Sequence, residues 1–553
     1  MPYVSLLVHV ECEGELGGHV SIAADLADLF RARLVGVAGW TPMSVFLAQE
    51  AFDNPSPGDF HLQDMKTLLD QRGKEFCAAL DKPDRRVEWR SILDFPTEAV
   101  AREARSADLV IIPAIARSQD PFRALDPGSA ILKAGRPVLV VPTDLASLSP
   151  RRIAIAWKDT REARRAVLDA LPFLQKSDSV VIVEVLDEGR SNGASDRLKD
   201  VARYLARHRV EIITEQVRPA DFIPISSLLR LIESENIDLL VAGAYGHSRL
   251  GEWAFGGVTR DLLAESPICV VCFRIEGIEI MPFAAIMVHF DAGPSSHQRL
   301  RLAVDLAIRF EAALIGIAGR LYVPPFLADG HPRNAERRNS EQAEMTRTLG
   351  EIGEKFHAAA KQVAHAQWRG IPEDATGLVA REARAADLVI IGRKHRAQTH
   401  YYDLDPGVTI VRAGRPVLLV PDGIDSLDLR RIVVAWKDTR ESRRAVRDAI
   451  PLLKRADQVM IVEICEHGAE AQTQQNVNDV GNYLLQHDVT VTQKAYLHTE
   501  LAAADELVRF AEDERADLIV AGGYGHSRLG EWMFGGVTRG LLRESRMCSL
   551  FSH

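Results

Sequence analysis

Glycine is concentrated in one stretch of the chain, GAYGHSRLGEWAFGGVTR, which begins at Gly243. Gly243 and Gly246 open the stretch, and Gly256 and Gly257 stand near its end, just before Thr259. A backbone without Cβ atoms can come close to a ribose and its phosphates, and the exposed amides of a helix start attract phosphate. The spacing therefore predicts a site for a phosphorylated ligand, with Thr259 as a hydroxyl donor.

The loop between these glycines carries three polar side chains, His247, Ser248 and Arg249. Arg249 has the charge and the length to reach a terminal phosphate. A simpler alternative is that the glycines only permit a tight connection between a strand and a helix. The residues of this stretch by themselves leave both interpretations open.

A second copy of the stretch, GGYGHSRLGEWMFGGVTR, begins 279 residues later at Gly522. It keeps the glycines and the His-Ser-Arg triplet, which packing alone does not require, so the repetition favours binding. The candidate residues of the second copy are Gly522, Gly525, His526, Ser527, Arg528, Gly535, Gly536 and Thr538.

The same offset relates other parts of the chain. AREARSADLVII at Ala101 returns as AREARAADLVII at Ala380, and RRIAIAWKDTREARRAV at Arg151 returns as RRIVVAWKDTRESRRAV at Arg430. Self-similarity of this kind indicates a duplication, with a join within 275–282. Each half divides again, because a series of apolar segments separated by helical patterns occurs twice in it.

Short segments rich in Val, Ile and Leu that alternate with helical patterns predict a parallel sheet covered on both faces. The predicted fold is α/β, with four Rossmann-like modules, each an open five-stranded, mostly parallel sheet with helices on both faces. The module boundaries are 1–147, 148–278, 279–425 and 426–553. In the first two modules the predicted helices include Ser21–Phe30, Leu62–Leu80, Thr97–Ser106, Ser129–Ala134, Glu162–Leu174 and Ser226–Glu235.

Both glycine stretches begin where the fourth strand of a module ends, IDLLVAGA in one half and ADLIVAGG in the other. Their later part, FGGVTRDLL or FGGVTRGLL, opens the helix that leads to the last strand. Ligands of open parallel sheets sit outside the carboxyl ends of the strands. The second and fourth modules are therefore predicted to carry a binding site at this edge.

The pattern Gly-x2-Gly-x9-Gly followed by a small residue, in this strand context, resembles the universal stress protein family. The resemblance extends over all four modules and is strongest in the second and fourth. It implies an adenine nucleotide, ATP or AMP or ADP, with or without Mg²⁺. The base would lie near the first two strands and the phosphates over the glycine loop. The resemblance also implies that Val258 and Val537 help the neighbouring glycines and threonines to hold the ribose and the phosphates. It also implies that adjacent modules pair through their last strands as intrachain pseudo-dimers, and it leaves a homo-oligomer open.

The sequence departs from the family pattern after the first strand of the module. The family commonly has Asp there, whereas this chain has Lys158 and Lys437, with Asp159 and Asp438 one step later. All four are candidate nucleotide contacts, and for the two lysines a solvated loop position is the alternative. The family also often has Ser or Thr directly after the third motif glycine, where both copies have another glycine.

The first and third modules lack the glycine spacing, since Ala116 and His395 stand where the second glycine belongs. Both modules have Leu-Asp-Pro-Gly at the helix start, which predicts Asp126 and Asp405 as N-caps. A carboxylate there satisfies the amides that a phosphate would need and repels the phosphate. These modules are predicted to be structural or to bind something other than a nucleotide.

Composition narrows the range of partners and compartments. A formal charge of −10 argues against nucleic acid as a partner. No stretch approaches the roughly 18–20 apolar residues of a membrane span, so no membrane partner is predicted. Six cysteines without framework spacing fit a reducing compartment. We expect a cytoplasmic protein.

No nucleophile, general base, metal-ligand cluster or Walker lysine motif stands out in the sequence. We therefore predict no catalytic residue and no metal site. The expected function is that of a universal stress protein that binds an adenine nucleotide in its second and fourth modules and acts as a stress-response sensor or regulator. The alternatives are a nucleotide-free scaffold or small-ligand carrier, and a slow ATPase.

Overall fold

A computed structural model describes residues 3–41, 58–115, 124–186, 193–211, 213–219, 224–243, 266–273, 283–291, 293–320, 333–393, 404–465, 468–497, 503–523 and 536–553. The chain forms two compact units. The first contains Met1–Ala202, Arg209–Glu279 and Asp479–His487. The second contains Arg203–His208, Ile280–Asn478 and Asp488–His553. The predicted join within 275–282 lies outside the described residues.

The first unit is built on one sheet of ten strands, in the order β3-β2-β1-β4-β5-β10-β9-β6-β7-β8. The strands are β1 (Ser5–His9), β2 (Arg33–Gly39), β3 (Val87–Ile92), β4 (Leu109–Pro113), β5 (Val138–Val141), β6 (Arg152–Trp157), β7 (Ser179–Leu186), β8 (Ile213–Pro219), β9 (Leu239–Gly243) and β10 (Cys269–Phe273). Neighbours are parallel within each block of five. The blocks meet where β5 pairs antiparallel with β10, with Val140 opposite Val270.

The second unit repeats this arrangement, in the order β13-β12-β11-β14-β15-β20-β19-β16-β17-β18. Its strands are β11 (Ala285–His289), β12 (Ala313–Gly319), β13 (Ala366–Ile371), β14 (Leu388–Gly392), β15 (Val417–Val420), β16 (Arg431–Trp436), β17 (Gln458–Ile464), β18 (Val491–Leu497), β19 (Leu518–Gly522) and β20 (Cys548–Ser552). The antiparallel junction lies between β15 and β20, with Leu418 opposite Leu550.

Helices connect the strands of both sheets. Those of the chain's first half are α1 (Gly18–Phe30), α2 (Gly58–Ala79), α3 (Pro96–Glu103), α4 (Pro127–Ala134), α5 (Arg161–Leu174), α6 (Ala194–Arg207) and α7 (Pro224–Ser234). Those of the second half are α8 (Pro294–Arg309), α9 (Arg333–Ala359), α10 (Ala375–Glu382), α11 (Pro406–Ala413), α12 (Arg440–Asp448), α13 (Ile450–Leu453), α14 (Glu470–Gln486), α15 (Ala503–Asp513) and α16 (Gly536–Glu544).

The sheet is covered on both faces, as strand β2 illustrates. Val35 and Val37 join a core cluster with Val100 of α3. Gly36, which points to the opposite face because side chains alternate along a strand, lies against Phe76 of α2. With helices on both faces the strands have no polar side to present, which explains their continuous apolar runs.

The predicted α/β fold with mostly parallel strands is confirmed, and each predicted helix listed for the first two modules overlaps an observed one. In each unit the two five-stranded blocks join through the last strand of each module into one ten-stranded sheet. Pairing the last strands antiparallel removes two open sheet edges, whose unpaired N–H and C=O groups would otherwise be exposed.

Candidate functional site

The two glycine stretches are described in part. Gly243 is the last residue of β9, and Gly522 is the last residue of β19. Gly536, Val537 and Thr538 form the first turn of α16. The other candidate residues of both copies lie outside the described residues: Gly246, His247, Ser248, Arg249, Gly256, Gly257, Val258, Thr259, Gly525, His526, Ser527, Arg528 and Gly535.

Gly243 and Gly522 each lie against the start of a helix. A Cβ atom at Gly243 would stand 2.8 Å from the backbone nitrogen of Ala163 in α5. A Cβ atom at Gly522 would stand 2.7 Å from the backbone nitrogen of Ser442 in α12. Both distances are too short for a side chain, so packing between backbone segments requires glycine here. This supports the simpler alternative for the first glycine of each copy.

The helices that meet these glycines have capped amino ends. Thr160 Oγ1 accepts a hydrogen bond from the Ala163 nitrogen at 3.3 Å, and Thr439 Oγ1 accepts one from the Ser442 nitrogen at 3.2 Å. Each cap satisfies an amide that the helix itself leaves without a partner. The capped amide is also the one that lies closest to the strand-end glycine. The cap and the packing of the glycine therefore hold the same contact between helix start and strand end.

The aspartates after the first strand of the second and fourth modules are engaged in ion pairs. Asp159 Oδ1 lies 3.1 Å from Arg164 Nη2, and Asp438 Oδ1 lies 2.8 Å from Arg443 Nη2. Both arginines are buried, and a buried guanidinium without a carboxylate partner is unfavourable. The aspartates therefore already serve as partners for these arginines, which the sequence had not indicated.

Lys158 and Lys437 directly precede the two aspartates, and both side chains are exposed. The backbone turns immediately after each lysine, since the nitrogen of Thr160 donates to the Lys158 carbonyl at 2.6 Å and that of Thr439 to the Lys437 carbonyl at 2.6 Å. Exposure leaves both ammonium groups able to meet a phosphate or to remain solvated.

The helix that the second glycine stretch was predicted to open is present in the fourth module. It begins at Gly536, and Thr538 Oγ1 donates to the Gly522 carbonyl at 3.3 Å. Thr538 is buried, so its hydroxyl ties the helix start to the end of β19. Val537 packs against the core of the second unit. The corresponding helix of the second module lies outside the described residues.

The far end of α16 is held by an arginine that sequence reasoning missed. Arg393 follows β14, and its guanidinium donates to the carbonyls of Leu541, at 3.3 Å, and Ser545. A cation at the carboxyl end of a helix compensates the partial negative charge there. The only signal in the sequence is a basic residue after a strand, and such residues are common in loops.

The first and third modules have the predicted N-caps at the corresponding helix. Asp126 accepts a hydrogen bond from the Ser129 nitrogen at 2.9 Å, and Asp405 accepts one from the Val408 nitrogen at 3.0 Å. Pro127 and the equivalent proline of α11 stand in the first helical turn. The prediction that a carboxylate occupies these helix starts is confirmed.

Among the described residues, every helix is too short or too polar to span a lipid bilayer. Within the same part of the chain, no cluster of three or more His, Cys, Asp or Glu side chains is arranged to hold a metal ion.

Comparison with solved structures returns several universal stress proteins. The chain is 13% identical to a universal stress protein from Archaeoglobus fulgidus over 48% of this chain and 95% of that one, with a TM-score of 0.38. It is 16% identical to a putative universal stress protein from Pseudomonas aeruginosa over 49% and 92%, with a TM-score of 0.32. It is 18% identical to the universal stress protein UspA from Lactobacillus plantarum over 23% and 98%, with a TM-score of 0.18.

No curated protein sequence matches the chain. The model of the Universal stress protein family, however, matches residues 135–274 and residues 428–547. The first match spans the strands β5–β10 and the second spans β16–β19, and each contains one complete glycine stretch. The chain thus contains two domains of the universal stress protein family.

Proposed function

We propose that the second and fourth modules bind an adenine nucleotide, ATP or its relatives AMP and ADP, with or without Mg²⁺. The observation that carries the proposal is the start of α16, where Gly536 opens a helix that Thr538 ties to the carboxyl end of β19. A helix start at this edge of a parallel sheet presents amides and partial positive charge to a phosphate.

The contrast between modules supports the same proposal. The family match covers the two modules with the glycine stretch. In the other two, Asp126 and Asp405 occupy the amides of the equivalent helix start. A phosphate at those starts would have to displace a carboxylate that repels it, so the nucleotide sites belong to the second and fourth modules.

The residues after the first strand have separate parts in this proposal. The exposed Lys158 and Lys437 can approach the phosphates. The carboxylates of Asp159 and Asp438 are held by arginines, so they contact the nucleotide only where that ion pair opens. The remaining contacts come from the glycine backbone and from the His-Ser-Arg triplet of each copy.

The protein acts in this proposal as a nucleotide-dependent sensor or regulator in the cytoplasm, with adjacent modules paired as pseudo-dimers inside the chain. No residue of either site is assigned a catalytic part, because the sequence shows no recognisable arrangement of nucleophile, general base and orienting group. Nucleotide binding itself then changes the state of the protein, for example by raising its stability.

Isothermal titration of the full chain with Mg-ATP tests the proposal. We expect about two nucleotides per chain and a rise in melting temperature at saturation. Gly246→Asp and Gly525→Asp should each remove about one site, because a carboxylate at the glycine loop repels the phosphates. The matched control is Gly350→Asp, at an exposed position of α9 where an added Cβ meets nothing within 4 Å.

A nucleotide-free scaffold or ligand carrier is the second candidate, and the packing of Gly243 and Gly522 against helix backbones is the observation that favours it. In that case Mg-ATP gives neither heat nor a thermal shift, and the proposal fails. A slow ATPase would release phosphate from wild type but not from the double variant Gly246→Asp with Gly525→Asp.

A further inference from the structure

The third module contains a buried arginine at the carboxyl edge of its sheet. Arg299 lies in the second turn of α8, directly after β11, and only 5% of its surface is exposed. Its Nε donates to the carbonyl of His289, the last residue of β11, at 2.9 Å. This contact places the guanidinium at the end of the strand.

The guanidinium lies between two strands that are neighbours in the sheet but not in sequence. β11 pairs with β14, with Val288 opposite Ile390. A Cβ atom at Gly392, the last residue of β14, would overlap Nη1 of Arg299. In the strand order β12-β11-β14-β15 the connections leave β11 and β14 in opposite directions, and ligands of such sheets bind in the crevice at that point.

In the part of the chain that the structure describes, the positive charge of Arg299 is not paired with a carboxylate at contact distance. Among the described residues, no carboxylate oxygen lies within 4.0 Å of its nitrogens, and the His289 carbonyl is its hydrogen-bond acceptor. Asp291 and Asp422 influence it only from farther away. Burial lowers the pKa of Arg299 below its usual range, although both aspartates act in the opposite direction. A buried cation in this state is unfavourable unless an anion joins it.

One of these aspartates is itself engaged in a hydrogen bond. Asp291 Oδ1 accepts a hydrogen bond from the Gly293 nitrogen at 3.0 Å, within the turn that precedes α8. Burial acts to raise the pKa of Asp291, but the nearby charges of His289 and Arg299 and the hydrogen bond from Gly293 outweigh it and lower that pKa. The hydroxyl of Ser296 donates to the Gly293 carbonyl at 2.9 Å in the same turn. Asp291 is thereby held in the turn and leaves the terminal nitrogens of Arg299 to another acceptor.

The other modules differ at the equivalent position, ten residues after the strand residue that corresponds to His289. The second and fourth modules have Ala166 and Ala445 there. The first has His19, whose Nε2 lies 2.8 Å from the carbonyl of His9. A permanently charged side chain stands at this place in the third module alone. Because alanine suffices for the fold in two modules, packing does not demand an arginine.

We infer that the third module binds a small oxyanion, a phosphate or carboxylate group, on the terminal nitrogens of Arg299 in the crevice between β11 and β14. The planar guanidinium presents two parallel N–H donors to two oxygens of such a group. The site is independent of the nucleotide sites proposed for the second and fourth modules, which use backbone amides and lack this arginine.

Titration of the full chain with inorganic phosphate and, separately, with acetate tests this site in the background of Gly246→Asp with Gly525→Asp. We expect saturable heat for at least one of the two anions, and the stronger response identifies the group that is bound. Arg299→Met should abolish it, and Arg299→Lys should weaken it by about tenfold, since lysine keeps the charge but loses the planar fork. His19→Met, the matched change in the first module, should leave it unchanged.

Two results would overturn the inference: no saturable heat with either anion, or equal binding by wild type and Arg299→Met. Should Arg299→Met not fold, Arg299→Lys and a selenate-soaked crystal of the wild type decide the matter. An anomalous peak at hydrogen-bond distance from the guanidinium supports the site, and its absence contradicts it. Mg-ATP stoichiometry in the Arg299 variants of the otherwise unaltered chain should stay at the wild-type value, so failure here is distinguishable from failure of the nucleotide proposal.

Discussion

The third and fourth modules end their fourth strand with the same residue type for different reasons. Gly392 makes room for the guanidinium of Arg299, whereas Gly522 makes room for the backbone at the start of α12. In one case a buried cation occupies the edge of the sheet, and in the other a capped helix start does. A glycine at the end of a strand thus indicates that another group packs closely against it, but does not identify that group.

The start of the helix that follows this strand also differs between the two modules. In the third module Asp405 places a carboxylate on the first amides of α11. In the fourth, Gly536 opens α16 and the Thr538 hydroxyl turns to the Gly522 carbonyl. The third module therefore has a carboxylate on this helix start and an arginine against its strand-end glycine, whereas the fourth has a threonine hydroxyl and helix backbone at these two places. Two modules of one fold offer different chemistry at the same edge.

The largest expected difference between the third and fourth modules is in how their stability depends on pH. Burial, with the charge of Arg299, lowers the pKa of His289 from its ordinary 6.5 to about 4, whereas the equivalent residue of the fourth module is Ala435. An unfolded chain binds a proton at this histidine that the folded chain refuses, so stability is full above pH 6.5 and falls as the pH drops toward 4. The loss reaches about 3 kcal/mol. His289→Ala should flatten the dependence of urea unfolding on pH.

The control for that experiment is His357→Ala, which removes an exposed histidine of α9. It should retain the wild-type slope. In the first module His9 has a pKa lowered to about 3, chiefly by burial, and should add a similar loss that continues to lower pH. Equal slopes for wild type and His289→Ala would show that the buried imidazole does not distinguish the odd modules in this way.

The second comparison is between the two strand-end glycines. Gly522→Ala forces a Cβ against backbone that cannot move aside, and we expect a loss of about 1–3 kcal/mol in the free energy of unfolding. Gly392→Ala meets the end of a flexible arginine side chain and should cost less. Gly350→Ala in α9 meets nothing within 4 Å and should be neutral or stabilising. If Gly392→Ala proves the more damaging, the guanidinium is held more rigidly than its contacts indicate.

The third comparison concerns the helix starts. Asp405→Ala removes the N-cap of α11 and should destabilise the protein by about 1 kcal/mol in urea unfolding. Asp405→Ser keeps a capping oxygen without the charge and should recover most of that loss. Asp126→Ala in the first module should behave like Asp405→Ala. A serine variant as unstable as the alanine variant would mean that charge, and not the hydrogen bond, holds this helix start.

The smallest expected effect tests how the third module supports the fourth within the second unit. Arg393→Gln removes the charged donor from the carboxyl end of α16, at a cost of about 0.3–1 kcal/mol. Faster amide hydrogen exchange confined to α16 should accompany it. Arg430→Gln, at a side chain that is 72% exposed, is the matched control. Unchanged hydrogen exchange in α16 would show that Arg393 does not stabilise this helix.

Much of the fold follows from local patterns. Runs such as LVIIP and VLVV predict buried parallel strands because both sheet faces are covered. Asp-Pro-Gly predicts the capped starts of α4 and α11 because both residue types are suited to a first turn by their own geometry. Of the candidate site, the helix that begins at Gly536 was predictable for the same reason, since glycines before a helical pattern mark its start.

What the sequence by itself determined is the succession of strands and helices, the duplication, and the contrast between glycine and aspartate at the helix starts. Each depends on neighbours along the chain, whose spacing can be read directly. Only the tertiary structure decided that Gly522 meets the start of α12, that Asp438 is held by Arg443, and that Arg299 lies on Gly392. These contacts depend on strand order and on side-chain direction in three dimensions, because β11 and β14 become neighbours only when the sheet forms.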